Sequence, residues 1–421
     1  MAEPLASIPP GSLWSALVGR DRERALLRER LAVALGGQGS LVLIGGEAGI
    51  GKTALAEALA FDARAEGALV LVGRCYDLTE TPPYGPWLET FAGYAAARAA
   101  LGLPRLPAAL APGGVARGLA SQAALFEQVR AFLAAVAAEH PVVLLLDDLH
   151  WADPASLDLL RAVGRTLGGA PLLLLATYRG DELTRRHPLY PLLPALVREA
   201  RVARLDLRPL DDAEVRALVA ARCALPQHDE ARLVAYLKRH AEGNPFYLGE
   251  LLRTLEEERL LHPAAGGWAL GDLARARVPP LLRQVIEGRL ARLGEEAQRL
   301  LTIAAIIGQE APLDLWAAVA GAAEEALLDV VERAAEAHVL AETPDGTRAR
   351  FVHALIREAL YEGLRPSRRR VWHRRAGEAL LPLPSPDPDA VAYHLCQAGD
   401  PPGRPSGSSR PASGRSAPTP G

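Results

Sequence analysis

An α/β fold, with a parallel sheet between layers of helices, is predicted for the first half of the chain, and a helical region is predicted behind it. Three observations carry this. Short apolar runs alternate with stretches of helical periodicity between about residues 41 and 207. The first run ends in a glycine loop that leads directly into a helix pattern. Beyond Arg208 the apolar runs stop and amphipathic helix patterns replace them.

In chain order, residues 41–44 form the first strand, GGEAGIGKT the loop and TALAEALAFDARA its helix. Residues 68–72 are a second buried strand. Pro- and Gly-rich punctuation at 81–86 and 102–118 brackets helical stretches, after which 142–146 and 172–177 read as two further buried strands and 201–207 as a fifth. The segments DDAEVRALVAARC, EARLVAYLKRHAEG and YLGELLRTLEEERLL then predict a helical lid without strands. From 278 to 380 the pattern is helical except for HVLAETPDGTRARFVH, two alternating runs around a Pro-Asp-Gly turn, so a β-hairpin among helices predicts a winged-helix module. The expected organisation is 14–207 for the sheet domain, 208–277 for the lid, 278–380 for the winged-helix module and 381–421 for a disordered or aberrant tail. That tail turns rich in Pro, Ser, Gly and Arg, with almost no large apolar residue after Cys396. YHLCQAGD reads as the start of a further helical region, yet the composition after Gly399 is what out-of-frame reading of GC-rich DNA produces. An interrupted reading frame or truncated gene model is therefore expected there.

Composition bounds the function. At roughly 150 residues per domain, 421 residues hold two or three domains with a real core. A net charge of −3, from 47 basic and 50 acidic residues, supplies no global field toward nucleic acid or an anionic membrane. The three cysteines, Cys75, Cys223 and Cys396, are far apart and form no CxxC pair, which argues against a disulfide framework or a zinc site. MAEPLASIPPG lacks the cationic and apolar runs of a signal peptide, and no apolar segment reaches the ~18 residues of a membrane span, so a cytoplasmic protein is expected. Only Lys52 and Lys238 among the 47 basic residues are lysine, so a lysine here calls for a reason.

Lys52 has one. In GGEAGIGKT, Gly46, Gly51, Lys52 and Thr53 match G-x-x-x-x-G-K-[ST] between a strand and a helix. This is the pattern of a phosphate cradle, so the fold class is that of an α/β P-loop NTPase. Amides along Gly46, Glu47, Ala48, Gly49, Ile50, Gly51, Lys52, Thr53 and Ala54 face the phosphates of ATP or ADP, Lys52 reaches the β/γ oxygens and the Thr53 hydroxyl ligates Mg²⁺. A compact ammonium fits such a loop where a forked guanidinium does not. In VVLLLDDLHWAD the doublet Asp147 and Asp148 ends a buried strand, at the edge where α/β sheets bind ligands. Asp147 is then the Mg²⁺-side acid and Asp148 the group that orients or deprotonates water, the alternative being a solvated turn or helix cap. In LLLLATYRGDE, Thr177 and Arg179 end the next strand, and Arg179 is placed to sense the γ-phosphate or, alternatively, to pair with Asp181 or Glu182. The stretch RPSRRRVWHRR reads as a charged helix face packed on acidic neighbours, with nucleic-acid contact as the alternative, and His150–Trp151 reads as a structural corner.

LVGRDRERALLRERL, GGEAGIGKT, LLLDDLHWAD, ATYR and GNPFYLGELL together resemble the AAA+-related STAND ATPases, in particular the ATPase region of large ATP-binding regulators of the LuxR type, with an origin-recognition-like AAA domain. The resemblance covers about residues 17–398. It implies that Val18, Gly19 and Arg20 lie on the base side of the nucleotide and that Gly243, Asn244 and Pro245 form the Gly-x-Pro motif, with Pro245 near the nucleotide. It also implies that His353 in FVHAL touches the ADP phosphate, although Ala354 stands where an acid often follows. The catalytic set is then Lys52, Asp148 and Arg179, and the metal set Thr53 and Asp147. The implied function is a slowly ATP-hydrolysing switch of a signal-transduction or transcription regulator, lacking the family's C-terminal repeats and DNA-binding domain. It would self-associate in its ATP state, answer to an inducer or protein partner not identified by the sequence, and not bind DNA through this chain alone. Two alternatives remain: a DNA-binding helicase-loader-like AAA+ protein, and a nucleotide-binding scaffold without turnover.

Overall fold

Each of the five predicted strand segments is a strand of one sheet. The computed structural model describes residues 17–77, 82–111, 121–183, 185, 187–199, 202–264, 267–382 and 387–399. Its first part runs α1 (Asp21–Leu35), β1 (Ser40–Gly46), α2 (Lys52–Ala65), β2 (Leu69–Arg74), α3 (Gly85–Leu101), α4 (Gln122–Glu139), β3 (Val142–Asp147), α5 (Pro154–Gly164), β4 (Leu172–Arg179), α6 (Leu189–Glu199) and β5 (Val202–Asp206). The strand order is β2-β3-β4-β1-β5, with every neighbouring pair parallel. β4 therefore lies between β1 and β3, in a register that sets Ile44 opposite Thr177 and Leu146 opposite Ala176. The strand ends that carry the glycine loop, the Asp doublet and Arg179 are brought side by side.

Side chains of a strand alternate between the two faces of its sheet. Leu41, Leu43, Leu144, Leu146 and Leu174 share one face with Trp87, Phe91 and Tyr94 of α3 and Phe132 of α4. Val42, Ile44, Val143, Leu145, Leu173 and Leu175 share the other with Leu27 and Leu31 of α1 and Leu55 and Leu59 of α2. Both faces are covered, which is why these strands are continuously apolar. Each such side chain contributes about 1.5–3 kcal/mol by burial.

α7 (Asp212–Arg222), α8 (Gln227–Ala241) and α9 (Pro245–Glu257) follow, as the amphipathic patterns predict. Asp211 caps α7 in a reciprocal box with Glu214, and Asn244 caps α9. Contrary to the expectation of a purely helical lid, this region is not free of strands. β6 (Leu261–Ala264) and β7 (Gly267–Leu270) form an antiparallel hairpin. With four residues each and only Leu261 buried, they lack the apolar run or alternation that marks a strand in sequence.

The described residues form two compact units, one running to Val285 and including Glu336–His338, the other comprising Ile286–Ala335 and the described residues from Val339. The division falls inside α10 (Pro280–Ala291), so residues 208–277 pack with the sheet. The second unit contains α11 (Glu295–Ile307), β8 (Glu310–Pro312), α12 (Leu313–Ala320), α13 (Glu324–Glu336), β9 (Leu340–Glu342), β10 (Arg348–Phe351), α14 (Ala354–Gly363), α15 (Pro366–Leu380) and α16 (Pro388–Ala398). The expected hairpin is β9 and β10, with the Asp345 carboxylate accepting hydrogen bonds from the Thr343 and Thr347 hydroxyls across the turn and β8 pairing on its far side. On α15, Arg369 stacks over Tyr361 at 4.7 Å and donates to the Glu362 carbonyl at 2.8 Å.

The expected disordered tail is corrected in its first part. Residues 388–398 are helical, started by the Asp387 cap with Pro388 at the first position and ended by Gly399 at φ 85°. His394 and Ala398 are buried, and a Cβ on Gly377 of α15 would come within 2.9 Å of Leu395, so α15 and α16 pack closely. Residues 400–421 lie outside the described residues.

Candidate active site

The glycine loop joins β1 to α2, and its conformation explains its composition. Gly51 has φ 100° at the cap of α2, a left-handed conformation in which a side chain would be strained. Gly49, at φ 78°, has no room for one, since a Cβ would meet the Phe246 Cβ at 2.8 Å and the Asn244 Oδ1 at 3.0 Å. Inside the loop, Lys52 Nζ donates to the carbonyls of Gly46 at 3.0 Å and Glu47 at 2.7 Å. Burial lowers the pKa of this ammonium, Arg179 adds to the fall, and Asp181, Asp148 and Asp147 oppose it. Ammonium–carbonyl bonds of this kind can be exchanged for bonds to anionic oxygens.

Asp147 ends β3 and is buried. Its Oδ1 accepts from Thr177 Oγ1 of β4 at 2.5 Å, and its two oxygens accept from Thr53 Oγ1 at 3.1 and 3.2 Å. The Asp148 amide donates to that Thr177 hydroxyl at 2.9 Å. Thr177 thus fixes both members of the doublet, a role that only the order of β3, β4 and β1 reveals. Asp148 itself is left-handed, at φ 59°. Burial, and then the adjacent Asp147, raise its carboxyl above the usual range, against the pull of Arg179 and Lys52.

Arg179 makes the ion pair that its acidic sequence neighbours suggest. Its guanidinium donates to Glu182 Oε1 at 2.6 Å and lies over the Trp151 ring at 4.7 Å. His150 and Trp151 form a 3-10 turn after the doublet, as the expected corner. The His150 carbonyl accepts from His187 Nε2 at 2.7 Å, while His187 Nδ1 accepts from the Leu189 amide at 3.1 Å. The second bond fixes the tautomer: Nδ1 is an acceptor, so Nε2 carries the proton.

The Arg20 guanidinium donates to the Ile50 carbonyl at 3.1 Å and the Arg208 carbonyl at 2.7 Å and pairs with Glu23 at 3.3 Å, so it ties the loop to the start of the lid while lining the cleft beside it. An apolar cleft opens beside it, lined by Leu17, Val18, Gly51, Ala54, Leu210 and Pro245, among others. Gly19 is tight against the Glu214 side chain, which a Cβ would approach to 2.8 Å. The lid also grips the loop from the other side. Asn244 Nδ2 donates to the Ala48 carbonyl at 2.9 Å, and the Phe246 amide donates to the Gly49 carbonyl at 3.2 Å. The Gly-x-Pro motif is visible in the sequence, but Asn244's hold on the loop is not, because it joins residues 196 apart. His353 is buried at the start of α14, in the other unit.

One carboxylate and a hydroxyl are hard oxygen donors of the kind Mg²⁺ takes when phosphates and water complete its shell. Thr53 and Asp147 fit that need, and among the described residues no cluster of three His, Cys, Asp or Glu side chains offers an alternative metal cage.

The site lies in a region with known relatives. Residues 16–175 match the family described as the AAA ATPase domain. Residues 212–266, downstream of that match, match a domain of unknown function (DUF8739). The chain is similar to an uncharacterised protein of Rhizobium meliloti (strain 1021), 29% identical over 398 residues, covering 87% of this chain and 37% of that protein. Among solved structures it is similar to a STAND protein with a tetratricopeptide repeat sensor from Pyrococcus horikoshii, at 16% identity and TM-score 0.34, covering 91% of this chain and 48% of that one. It is also similar to the Orc1 protein of Aeropyrum pernix in complex with DNA, at 18% identity and TM-score 0.41, covering 84% and 95%. The chain thus spans well under half the length of its Rhizobium relative and about half that of the STAND protein. No helix among the described residues is long and apolar enough to cross a membrane.

Proposed function

We propose that the protein is an adenine-nucleotide switch that hydrolyses ATP slowly, as the regulatory engine of a signal-transduction or transcription regulator. The observation that carries this reading is the convergence of Lys52, Thr53, Asp147 and Thr177 at one end of the sheet, beside an apolar cleft of a kind that suits a purine. In this reading the loop amides from Gly46 to Ala54 hold the phosphates, and Lys52 exchanges the Gly46 and Glu47 carbonyls for β/γ oxygens. Val18, Ala54 and Pro245 line the base cleft, while Arg20 acts by holding loop and lid together. Mg²⁺, when held by Thr53 and Asp147, neutralises charge that builds on the transferred phosphoryl group. Asp148, whose raised pKa makes it a stronger base than an ordinary aspartate, orients the water and takes its proton. Arg179 leaves Glu182 for the γ-phosphate, so its ion pair marks the state without that phosphate.

The helices and three-stranded sheet of the second unit are read as a winged-helix module, with His353 as its contact to ADP, and the ATP state as the self-associating one. The test is the nucleotide content and turnover of purified protein. Wild type is expected to release ADP or ATP on denaturation and to hydrolyse ATP, and Lys52→Ala to lose both. Folded wild type that binds no adenine nucleotide overturns the proposal.

A further inference from the structure

The His150 side chain is completely buried, and neither of its ring nitrogens has a hydrogen-bond partner. A buried polar group left unsatisfied is costly by about 1–3 kcal/mol, so its persistence calls for a reason. Its surroundings supply one. Nδ1 faces Asp148 Oδ1 at 3.8 Å and Nε2 faces Glu182 Oε2 at 3.6 Å. The ring is held between them by a tilted contact with the Trp151 ring, at 4.5 Å between centroids, and by the His187 bond to its own carbonyl. The charged and titratable groups around it are Asp148, Glu182, Arg179, Lys52 and His187. Burial above all, and then Arg179, Lys52 and His187, push its pKa down to about 3, so the imidazole is neutral. A neutral imidazole has one N–H and one lone pair. It therefore donates to Asp148 or to Glu182, and never to both.

We propose that His150 is a positioning residue that couples phosphate sensing at Arg179 to the readiness of Asp148, by giving its single proton to whichever carboxylate is otherwise unpaired. While Glu182 is held by Arg179 at 2.6 Å, the proton belongs on Nδ1, where closing the 3.8 Å gap ties down Asp148. When the γ-phosphate draws Arg179 away, Glu182 loses its counter-charge and takes an Nε2–H bond. Water at the partly exposed Glu182 carboxylate supplies the proton gained at Nε2, and water at the partly exposed Asp148 carboxylate carries off the one released from Nδ1, so the ring's charge stays zero and Asp148 remains an ionised carboxylate free to face the attacking water. Either gap has only to shorten to roughly 3 Å for a hydrogen bond to form. The inference rests on the nucleotide-switch reading and adds a gate to it: water is activated only after the γ-phosphate has been sensed.

The direct test is the ¹⁵N spectrum of histidine-labelled protein, loaded first with ADP and then with a non-hydrolysable ATP analogue. The His150 signals among the ten histidines are assigned by their loss in His150→Gln. An Nδ1–H tautomer with ADP and an Nε2–H tautomer with the analogue is the expected result. The same tautomer in both states, with binding of each nucleotide verified, overturns the inference and leaves the switch reading intact. Failure to bind either nucleotide overturns both. Single-turnover hydrolysis provides a second readout. His150→Asn, whose amide can reach only the Nδ1 position, is expected to hold Asp148 permanently and slow hydrolysis about tenfold at unchanged ATP affinity. His150→Gln, whose amide reaches the Nε2 position, is expected to lose less than threefold. Equal losses in the two variants, at equal melting temperature, count against the gate.

Discussion

Both units of the chain bury histidines, in opposite ways. In the helical unit, His373 of α15 and His394 of α16 share an Nδ1–Nδ1 hydrogen bond at 2.9 Å, and Tyr361 completes the group on His373 Nε2 at 3.1 Å. In the sheet unit, His150 has no such partner and stands between two carboxylates. Lys52 and Asp147 beside it are satisfied by bonds within their own loop and by two threonine hydroxyls, contacts that a ligand can replace. The difference teaches how to tell structure from site. A closed polar network rigidifies a core, whereas groups with exchangeable or missing partners are poised for something else.

That contrast predicts activity losses at the sheet crevice and stability losses in the helical unit. The largest effect is expected for Asp147→Asn, which removes the anionic oxygen donor: hydrolysis should fall on the order of a hundredfold with little change in melting temperature. Phosphate release and thermal unfolding measured on the same sample separate the two effects. A loss of fold instead would erase the contrast.

Next is the histidine pair. Burial first, then His394, Arg357 and Arg369, push the His373 pKa down to about 4, and burial and Arg357 lower that of His394. A histidine with a depressed native pKa adds stability that is full above its unfolded value of about 6.5 and is lost as pH falls below it. Denaturant unfolding between pH 6.5 and 4 should therefore show falling stability, and the fall should flatten in His373→Leu. At neutral pH the same variant should be destabilised by about 2 kcal/mol, since it strands Tyr361 and His394. A pH slope unchanged in the variant would show that the network is not the acid-sensitive element.

Asn244→Ala sharpens the comparison from within the sheet unit. It removes a helix cap and the bond to the Ala48 carbonyl, so about 1–2 kcal/mol of stability and up to tenfold in nucleotide affinity should be lost, as read by melting and by titration with a fluorescent nucleotide. The smallest effect belongs to the other lysine. Lys238 pairs with Asp212 on an exposed surface, and Lys238→Ala should change stability by no more than about 0.5 kcal/mol in a urea titration. A larger change would mean that surface ion pairs carry weight in this chain.

Local patterning accounts for the sheet and its loop. Continuous apolar runs predict the inner strands β1, β3 and β4 because a parallel sheet is buried there on both faces, and GGEAGIGKT predicts its loop because spacing and glycine content are local properties. The hairpin of β6 and β7 is hidden because strands of four residues, all but Leu261 at least partly exposed, carry no periodic signal. The helix at 388–398 is obscured by the composition around it, although its Asp-Pro start and Gly stop are ordinary caps.

By itself, then, the sequence determined which residues end each strand and therefore which chemistry sits at one edge of the sheet: the loop lysine, the paired aspartates and the arginine. Only the tertiary structure decided how they are joined. Placing β4 between β1 and β3 turns Thr177 into the link between Asp148 and Asp147, which Thr53 also holds, and bringing α9 back onto the loop makes Asn244 its clasp. Burial on both sides leaves His150 between two carboxylates with one proton to give. Strand order and burial arise from contacts among residues tens to hundreds of positions apart, which local patterning does not encode.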